Sequence, residues 1–183
     1  MSIPVLGFAA YSGTGKTTLI VGLLPILKQR GLRVGVIKHA HHTFDLDVPG
    51  KDSFELRKAG ADQTLVASRR RWALMVETAD NESDPDVEEL IARLHSEDLD
   101  LILVEGFKLS SLPKIEVYRT ASRRPLRCTQ DATVIAVAVD GPLTESVGCA
   151  VLDINAPQSV ADFICHYFSL AADSGGELQE GAQ

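Results

Sequence analysis

One stretch of the sequence decides the fold: Gly7-Phe-Ala-Ala-Tyr-Ser-Gly-Thr-Gly-Lys-Thr-Thr18. An apolar run from Ile3 to Ala9 leads into its glycine-rich turn and predicts a buried strand. A helix-length apolar segment, Leu19 to Arg30, follows the turn. Strand, glycine-rich loop, Gly-Lys-Thr and helix form the pattern of a phosphate-binding P-loop. The sequence therefore predicts an α/β fold of the P-loop NTPase type, a mostly parallel sheet flanked by helices.

The residue types in this loop suit a phosphate ligand. Backbone N–H groups of the loop and of the helix N-terminus form a concave donor site for phosphate oxygens. We expect catalytic Lys16 to reach the β- and γ-phosphates and the Thr17 hydroxyl to ligate Mg²⁺. Ala10 stands where the pattern has its first glycine, and it is small enough to keep the turn. A chance turn without a ligand is the alternative, which the flanking strand and helix disfavour. The predicted nucleotide-binding residues are Ser12, Gly13, Thr14, Gly15, Lys16, Thr17 and Thr18.

Composition limits the classes of function. The 183 residues suit one domain, predicted over 1–170, with a disordered tail over 171–183 that holds three acids and no Lys or Arg. The net charge of −7 argues against a general nucleic-acid binder. The three cysteines lack metal-type spacing and are interpreted as small buried residues in a reducing compartment. The sequence shows no signal-peptide pattern and no apolar run long enough for a bilayer, so we expect a cytoplasmic protein without membrane contact.

The remaining chain alternates predicted strands and helices. The first helix should end at Gly31, and the next strand, Arg33 to Lys38, is expected beside the P-loop strand. A short helix, Phe54 to Ala59, has Ser53 or Asp52 as its cap. Gln63 to Ser68 and Trp72 to Glu77 predict a β-hairpin extension joined by three arginines, Arg69 to Arg71. Further strands are predicted at Leu99–Val104, Lys114–Arg119, Thr133–Val139 and Ala150–Ile154, with helices beginning at Pro85 and near Pro157.

Two acids follow predicted strands. Glu105 ends the run Leu-Ile-Leu-Val-Glu, at the edge where open α/β sheets bind ligands. We interpret Glu105 as a catalytic residue that binds Mg²⁺ directly or through water, or activates the attacking water; an acid without a ligand is the alternative. Asp140 could accept bonds from a guanine base, but the Asn-Lys-x-Asp guanine signature is absent.

A long polar loop, His39 to Asp52, also follows a strand. Its cluster of histidines could bind zinc, although closely spaced histidines rarely give three ligands to one ion, and recognition of an anion, a second substrate or a partner is favoured. Its acids have the charge to hold Mg²⁺ through water, with Asp45 counted among the metal ligands, or could serve as solvated acids and helix caps. The predicted substrate or partner residues are Lys38, His39, His41, His42, Asp47, Lys51, Asp52 and Lys108.

Two sets of surface residues have open interpretations. The arginines Arg69 to Arg71 are most simply a solvated hairpin turn, with a phosphate-rich partner as the alternative. Arg119, Arg123, Arg124 and Arg127 are equally ambiguous, so the sequence shows no clear arginine finger. The hairpin alternates Leu65 and Ala67 with Trp72, Leu74 and Val76, which predicts an apolar face and a paired edge in a homodimer.

Several segments together resemble one family, that of the bacterial molybdopterin-guanine dinucleotide biosynthesis adapter protein B (MobB). The resemblance extends from Ile3 to about Phe168, and the Lys-His-x-His-His and Val-Glu-Gly-Phe-Lys motifs are more specific than the P-loop itself. Ala10 fits the family pattern, whereas the acidic tail has no clear counterpart. The segments are Ala10–Thr18, Ile37–Ala61, Ser68–Glu77, Leu99–Lys108 and Val151–Asn155.

The resemblance implies a GTP- and Mg²⁺-binding protein with weak GTPase activity. It further implies a homodimer that assists the guanylyltransferase that joins GMP to molybdopterin, and a fold similar to dethiobiotin synthetase and hydrogenase nickel-insertion GTPases. A small-molecule kinase that holds its acceptor in the His39–Asp52 loop, and an adapter that binds nucleotide without turnover, are the alternatives. The sequence leaves open the preference for GTP over ATP, the need for hydrolysis and the position of any partner.

Overall fold

The computed structural model describes residues 3–40, 44–78, 85–122 and 124–170. The predicted tail, 171–183, lies outside these ranges. Contacts between Cα atoms divide the chain into two compact units, Met1–His39 with Asp86–Gln183, and Ala40–Pro85. The single domain expected over 1–170 stays a prediction. None of the helices in the described ranges is long and apolar enough to cross a membrane.

The secondary structure follows the predicted order closely. The strands are β1 Val5–Ala10, β2 Val34–Lys38, β3 Gln63–Ala67, β4 Trp72–Val76, β5 Leu101–Glu105, β6 Lys114–Tyr118, β7 Val134–Val139 and β8 Ala150–Asp153. The α-helices are α1 Lys16–Gln29, α2 Asp52–Lys58, α3 Val87–Ala92 and α4 Pro157–Tyr167. Short 3₁₀ turns lie at Ser96–Asp98, Thr120–Ser122 and Arg127–Thr129.

The first unit is built on a parallel sheet. Among the described residues, six strands pair in the order β2-β5-β1-β6-β7-β8, and each neighbouring pair is parallel. This confirms the predicted mostly parallel α/β fold. Leu6 and Phe8 of the P-loop strand are fully buried and pack on one face with residues of α1 and α4, including Leu23 and Ile164. Because β1 is central and covered, the loop that follows it starts from a rigid base.

The position of the second strand differs from the prediction. β5, not β2, lies beside the P-loop strand, and β2 pairs with the far side of β5. The physical reason is burial. All four residues Leu101 to Val104 are 0% exposed, which requires a neighbour on each side and cover on both faces. β2 is a less apolar edge strand, with Val36 42% exposed. The arrangement places Glu105 directly beside the P-loop strand.

The second unit contains α2 and an antiparallel hairpin. β3 and β4 pair with Leu65 opposite Leu74 and Ala67 opposite Trp72, which confirms the predicted hairpin. The predicted capping by Asp52 or Ser53 is wrong, because Lys51 occupies the N-cap position of α2 and makes no side-chain capping bond. Asp52 instead lies in the first turn, where its negative charge still favours the helix dipole.

The hairpin turn has its own hydrogen bonds. The Ser68 N–H and hydroxyl both donate to the carbonyl of Arg71, and the Arg71 N–H donates to the Ser68 hydroxyl. The interpretation of the arginine run as a hairpin turn is therefore confirmed. The three arginine side chains are exposed.

The cysteines behave as the small apolar residues that the sequence predicted, although they are half-buried rather than buried. Cys128 and Cys149 pack beside the cluster around Tyr118, and Cys165 packs against the main core. Burial raises the pKa of the Cys128 thiol to about 12. Its thiolate is scarce near neutral pH, which fits a packing role.

Candidate nucleotide site

The P-loop leaves helix N–H groups open to a ligand. Gly13 and Gly15 have φ of +78° and +94°, which side-chain-bearing residues rarely adopt. Gly15 is the N-cap of α1 and provides no side-chain bond to the helix end. The first intrahelical bond runs from the Leu19 N–H to the Gly15 carbonyl at 2.9 Å. The N–H groups of the first turn therefore lack an intrahelical acceptor and form the donor array that phosphate requires.

The predicted nucleotide-binding residues differ in how exposed they are in the structure. Ser12, Gly13, Thr17 and Thr18 are exposed, and Gly15 and Lys16 are half-buried. Thr14 is buried, and its hydroxyl donates to the Tyr11 carbonyl at 2.9 Å. The Thr14 side chain thus holds the loop, and only its backbone is available to a nucleotide.

A hydroxyl and a carboxylate meet at the start of α1. Thr17 Oγ1 donates to Glu105 Oε1 at 2.6 Å, and Lys38 Nζ lies 3.8 Å from Glu105 Oε2. The Glu105 residue is 9% exposed and ends the strand beside the P-loop strand. Hydroxyl and carboxylate oxygens are the ligands that Mg²⁺ prefers, so this pair fits the ion that the P-loop pattern implies. The structure therefore brings together Thr17 and Glu105, two of the three predicted metal residues.

The two specific motifs of the sequence meet at the carboxyl ends of β2 and β5. The His39 N–H donates to the Glu105 carbonyl at 2.8 Å, and the His39 ring stacks on Phe107 with centroids 4.7 Å apart. Gly106 has φ of +103°, and a Cβ there would lie 2.6 Å from the His39 Cβ. Phe107 has φ of +48°, which is uncommon for a bulky residue. Glycine after Glu105 is thus required by both backbone conformation and space.

Sequence reasoning did not single out Arg119. Its Nε donates to the Thr14 carbonyl at 2.9 Å, and its Nη1 lies 3.4 Å from Asp140 Oδ2. The other Asp140 oxygen accepts bonds from the Thr120 N–H and hydroxyl. The N–H and hydroxyl of Thr120, together with Arg119, hold the pKa of Asp140 below its usual range. Both Asp140 oxygens therefore have partners within the protein, and a bond from Asp140 to a guanine base stays a prediction.

Two of the other ambiguous arginines lie on an aromatic ring. The guanidinium carbons of Arg124 and Arg127 lie 4.6 Å and 5.7 Å from the centroid of the Tyr11 ring. Both contacts are of cation–π type. Arg123 lies outside the described residues. Lys108 is exposed and lines an open cavity of about 510 Å³ that Arg127 also lines.

Within the second unit, the loop acids bind an arginine. Arg57 Nη2 lies 2.6 Å from Asp45 Oδ1 and 2.8 Å from Asp47 Oδ1, and Arg57 Nη1 lies 3.2 Å from Glu77. Arg57 holds the pKa of Asp47 below its usual range, and the three acids raise the pKa of Arg57. No pattern in the sequence predicted this cluster. Metal binding by Asp45 stays a prediction.

The remaining loop residues are only partly described. Lys51 and Asp52 are exposed, whereas His41 and His42 lie outside the described residues. In the part of the chain that is described, the one group of three or more His, Cys, Asp or Glu side chains close enough to share a metal ion is His95, Glu97 and Asp98, all exposed. Zinc binding by the histidine cluster therefore stays a prediction.

Comparisons with known proteins agree with these motifs. The model of the family described as "Molybdopterin guanine dinucleotide synthesis protein B" matches residues 5–140. The chain is 55% identical over 166 residues to the molybdopterin-guanine dinucleotide biosynthesis adapter protein of Escherichia coli K12, covering 90% of this chain and 93% of that protein. The corresponding protein of Haemophilus influenzae is 43% identical, covering 91% and 92%.

A solved structure shows the same fold. The crystal structure of Bacillus subtilis MobB superposes with a TM-score of 0.70 at 25% identity, covering 90% of this chain and 97% of that one. The family match spans the P-loop and both specific motifs. With its P-loop NTPase-like fold, the chain therefore belongs to the molybdopterin guanine dinucleotide synthesis protein B family.

Proposed function

We propose that this protein binds GTP and Mg²⁺ at the P-loop, hydrolyses GTP slowly, and assists a cytoplasmic guanylyltransferase that joins GMP to molybdopterin. The observation that carries the proposal is the 2.6 Å bond between the Thr17 hydroxyl and the Glu105 carboxylate beside the uncapped start of α1. A donor array for phosphate and an oxygen pair for Mg²⁺ thus lie at one edge of the sheet. The guanine preference and the adapter role rest on the family and on the names of the relatives.

The residues of the site have distinct tasks. The loop N–H groups bind phosphate oxygens, and Lys16 supplies a positive charge to them. Thr17 and Glu105 would hold Mg²⁺, which neutralises phosphate charge when it is bound. Lys38 Nζ lies 3.8 Å from the Glu105 oxygen that does not bond to Thr17. The carboxylate therefore lies between the Thr17 hydroxyl at the start of α1 and the Lys38 ammonium.

Slow hydrolysis is proposed because Arg119, which bonds to the P-loop backbone, has its guanidinium engaged within the protein. Efficient phosphoryl transfer needs a positioned water and a cation that stabilises the transition state, often an arginine. The Arg119 guanidinium bonds to Thr14 and Asp140 instead. A partner protein that adds a cation would accelerate the reaction.

A homodimer through the hairpin is part of the proposal. By the register of β3 and β4, the side chains of Leu65, Leu74, Trp72 and Val76 share one face. All four are exposed, Leu65 by 61% and Trp72 by 54%. An exposed apolar face of this kind on a two-stranded sheet marks an association surface. A second copy of the hairpin would cover it.

The test replaces the P-loop lysine. Lys16→Ala should weaken GTP binding more than about 100-fold, because the charge-assisted bonds it removes contribute about 1.5–3 kcal/mol each. Lys28→Ala, in the last turn of the same helix, is the matched control and should bind normally. Titration of all four triphosphates measures the base preference. Unchanged affinity of a folded Lys16→Ala protein would refute the proposal.

Phosphate release separates the three classes of activity. A slow GTPase releases phosphate without any acceptor, whereas a kinase needs a small-molecule acceptor. An adapter without turnover binds GTP and releases nothing. The proposal requires slow release that is independent of an acceptor.

A further inference from the structure

We propose that Arg119 is a positioning residue of the P-loop, which aims the Gly15 N–H at the nucleotide's α- and β-phosphates. The inference rests on the proposed nucleotide binding. It concerns a residue outside the P-loop motif, at the end of β6, the other neighbour of the P-loop strand.

The central observation is a bond to the loop backbone. Arg119 Nε donates to the Thr14 carbonyl at 2.9 Å. That carbonyl and the Gly15 N–H belong to the same peptide group. In a trans peptide the two groups point in opposite directions, so a donor on the carbonyl side fixes where the N–H points. Hydrogen bonding at the carbonyl also polarises the N–H and strengthens its bond to an anion.

The loop needs such an external support. Gly15 has φ of +94°, and glycine by itself has no steric preference for this conformation. The guanidinium lies against the glycine, because a Cβ on Gly15 would be 2.9 Å from Arg119 Nη2. The arginine therefore occupies the space of a missing side chain and restrains the peptide that the glycine leaves free.

The arginine is itself fixed. Arg119 Nη1 lies 3.4 Å from Asp140 Oδ2, at the end of the next strand of the sheet. Asp140 is in turn held by the N–H and the hydroxyl of Thr120, at 2.9 Å and 3.0 Å. A planar guanidinium bonded at two edges keeps one orientation. Asp140 thus orients Arg119, and Arg119 orients the loop.

This arrangement predicts which nucleotides will bind more weakly when Arg119 is replaced. The P-loop N–H groups bind the α- and β-phosphates, which GDP and GTP share. Loss of Arg119 should therefore weaken both nucleotides by the same factor. A direct contact between Arg119 and the γ-phosphate would instead affect GTP alone.

The experiment measures GDP and GTP affinity of Arg119→Gln by calorimetry, together with the rate of GTP hydrolysis at saturation. We expect both affinities to fall about tenfold, the effect of one charged hydrogen bond, with kcat changed less than twofold. Arg119→Lys, which restores a cationic donor, should recover part of both affinities. Asp140→Asn should give a smaller, equal loss for the two nucleotides.

The control is an arginine–aspartate pair at the amino ends of β2 and β5, whereas the P-loop follows the carboxyl end of β1. Arg33 Nε and Nη2 each lie 3.2 Å from an oxygen of Asp100, so Arg33→Gln removes an arginine–aspartate pair that has two side-chain bonds. It should leave nucleotide affinity unchanged. Wild-type affinity of Arg119→Gln, a loss confined to GTP, or an equal loss in Arg33→Gln would overturn the inference. A wild-type protein that binds neither nucleotide would refute the proposed function itself, and the inference with it.

Discussion

Gly106 offers the sharpest test of how the site is assembled. Replacing it with alanine places a methyl group 2.6 Å from the His39 Cβ, and no real pair of such carbons lies that close. The backbone at φ of +103° adds strain for any side chain. A residue forced into a sparsely populated backbone region costs about 1–3 kcal/mol. Overpacking in a confined space adds about 1–3 kcal/mol. Gly106→Ala should therefore lower the free energy of unfolding by about 2–6 kcal/mol.

Gly13 provides the matched control in the same compact unit. It also has positive φ, +78°, but a Cβ there would meet nothing within 4 Å. Gly13→Ala should thus show only the backbone strain, about 1–3 kcal/mol. Urea unfolding of both proteins without nucleotide measures the difference. Equal losses would refute the view that the two motifs are packed against each other at Gly106.

The same variant has a functional consequence. Relief of the clash requires His39 or the backbone after Glu105 to move, and Glu105 bonds to Thr17. We therefore expect Gly106→Ala to raise the Mg²⁺ concentration that nucleotide binding requires. If Gly106→Ala is destabilised but keeps a normal Mg²⁺ dependence, the packing of Gly106 against His39 does not affect the proposed metal site.

Three further outcomes are expected. Glu105→Gln should keep the shape of the site but lower GTP hydrolysis at least about tenfold and raise its Mg²⁺ requirement, because a charged ligand is lost; unchanged Mg²⁺ titrations would contradict this. Leu65→Glu should convert the proposed dimer to monomer in sedimentation, whereas Val66→Glu on the opposite hairpin face should not. Arg57 lowers the pKa of Asp47 in the folded protein, so the pair stabilises the fold above the pKa that Asp47 has in the unfolded chain. This stability is lost as the pH falls through the pKa of Asp47 in the folded protein. Asp47→Asn should therefore reduce the dependence of unfolding free energy on acidic pH, measured by urea unfolding.

Local patterns in the sequence were sufficient to predict the strands and helices and some of the residues of the candidate nucleotide site. Alternating apolar runs, the glycine-rich turn and Gly-Lys-Thr predicted β1, the loop and α1, since strand and helix periodicity and positive-φ glycines act over short distances. Glu105 was predicted as a site residue because it directly follows an apolar run typical of a buried strand, which is also a local pattern. The hairpin face followed from the two-residue period of strands, and the register of β3 and β4 confirms it.

The sequence by itself determined the fold class, the P-loop and the family motifs, because these are encoded in contiguous residues. Only the tertiary structure decided that β5 separates β1 from β2, because strand order depends on burial across the whole sheet. It likewise decided that Arg119 reaches the Thr14 carbonyl, 105 positions earlier in the chain, and that Asp140 supports that arginine. Such contacts leave no periodic or local trace in the sequence. They form because the carboxyl ends of parallel strands converge at one edge of the sheet.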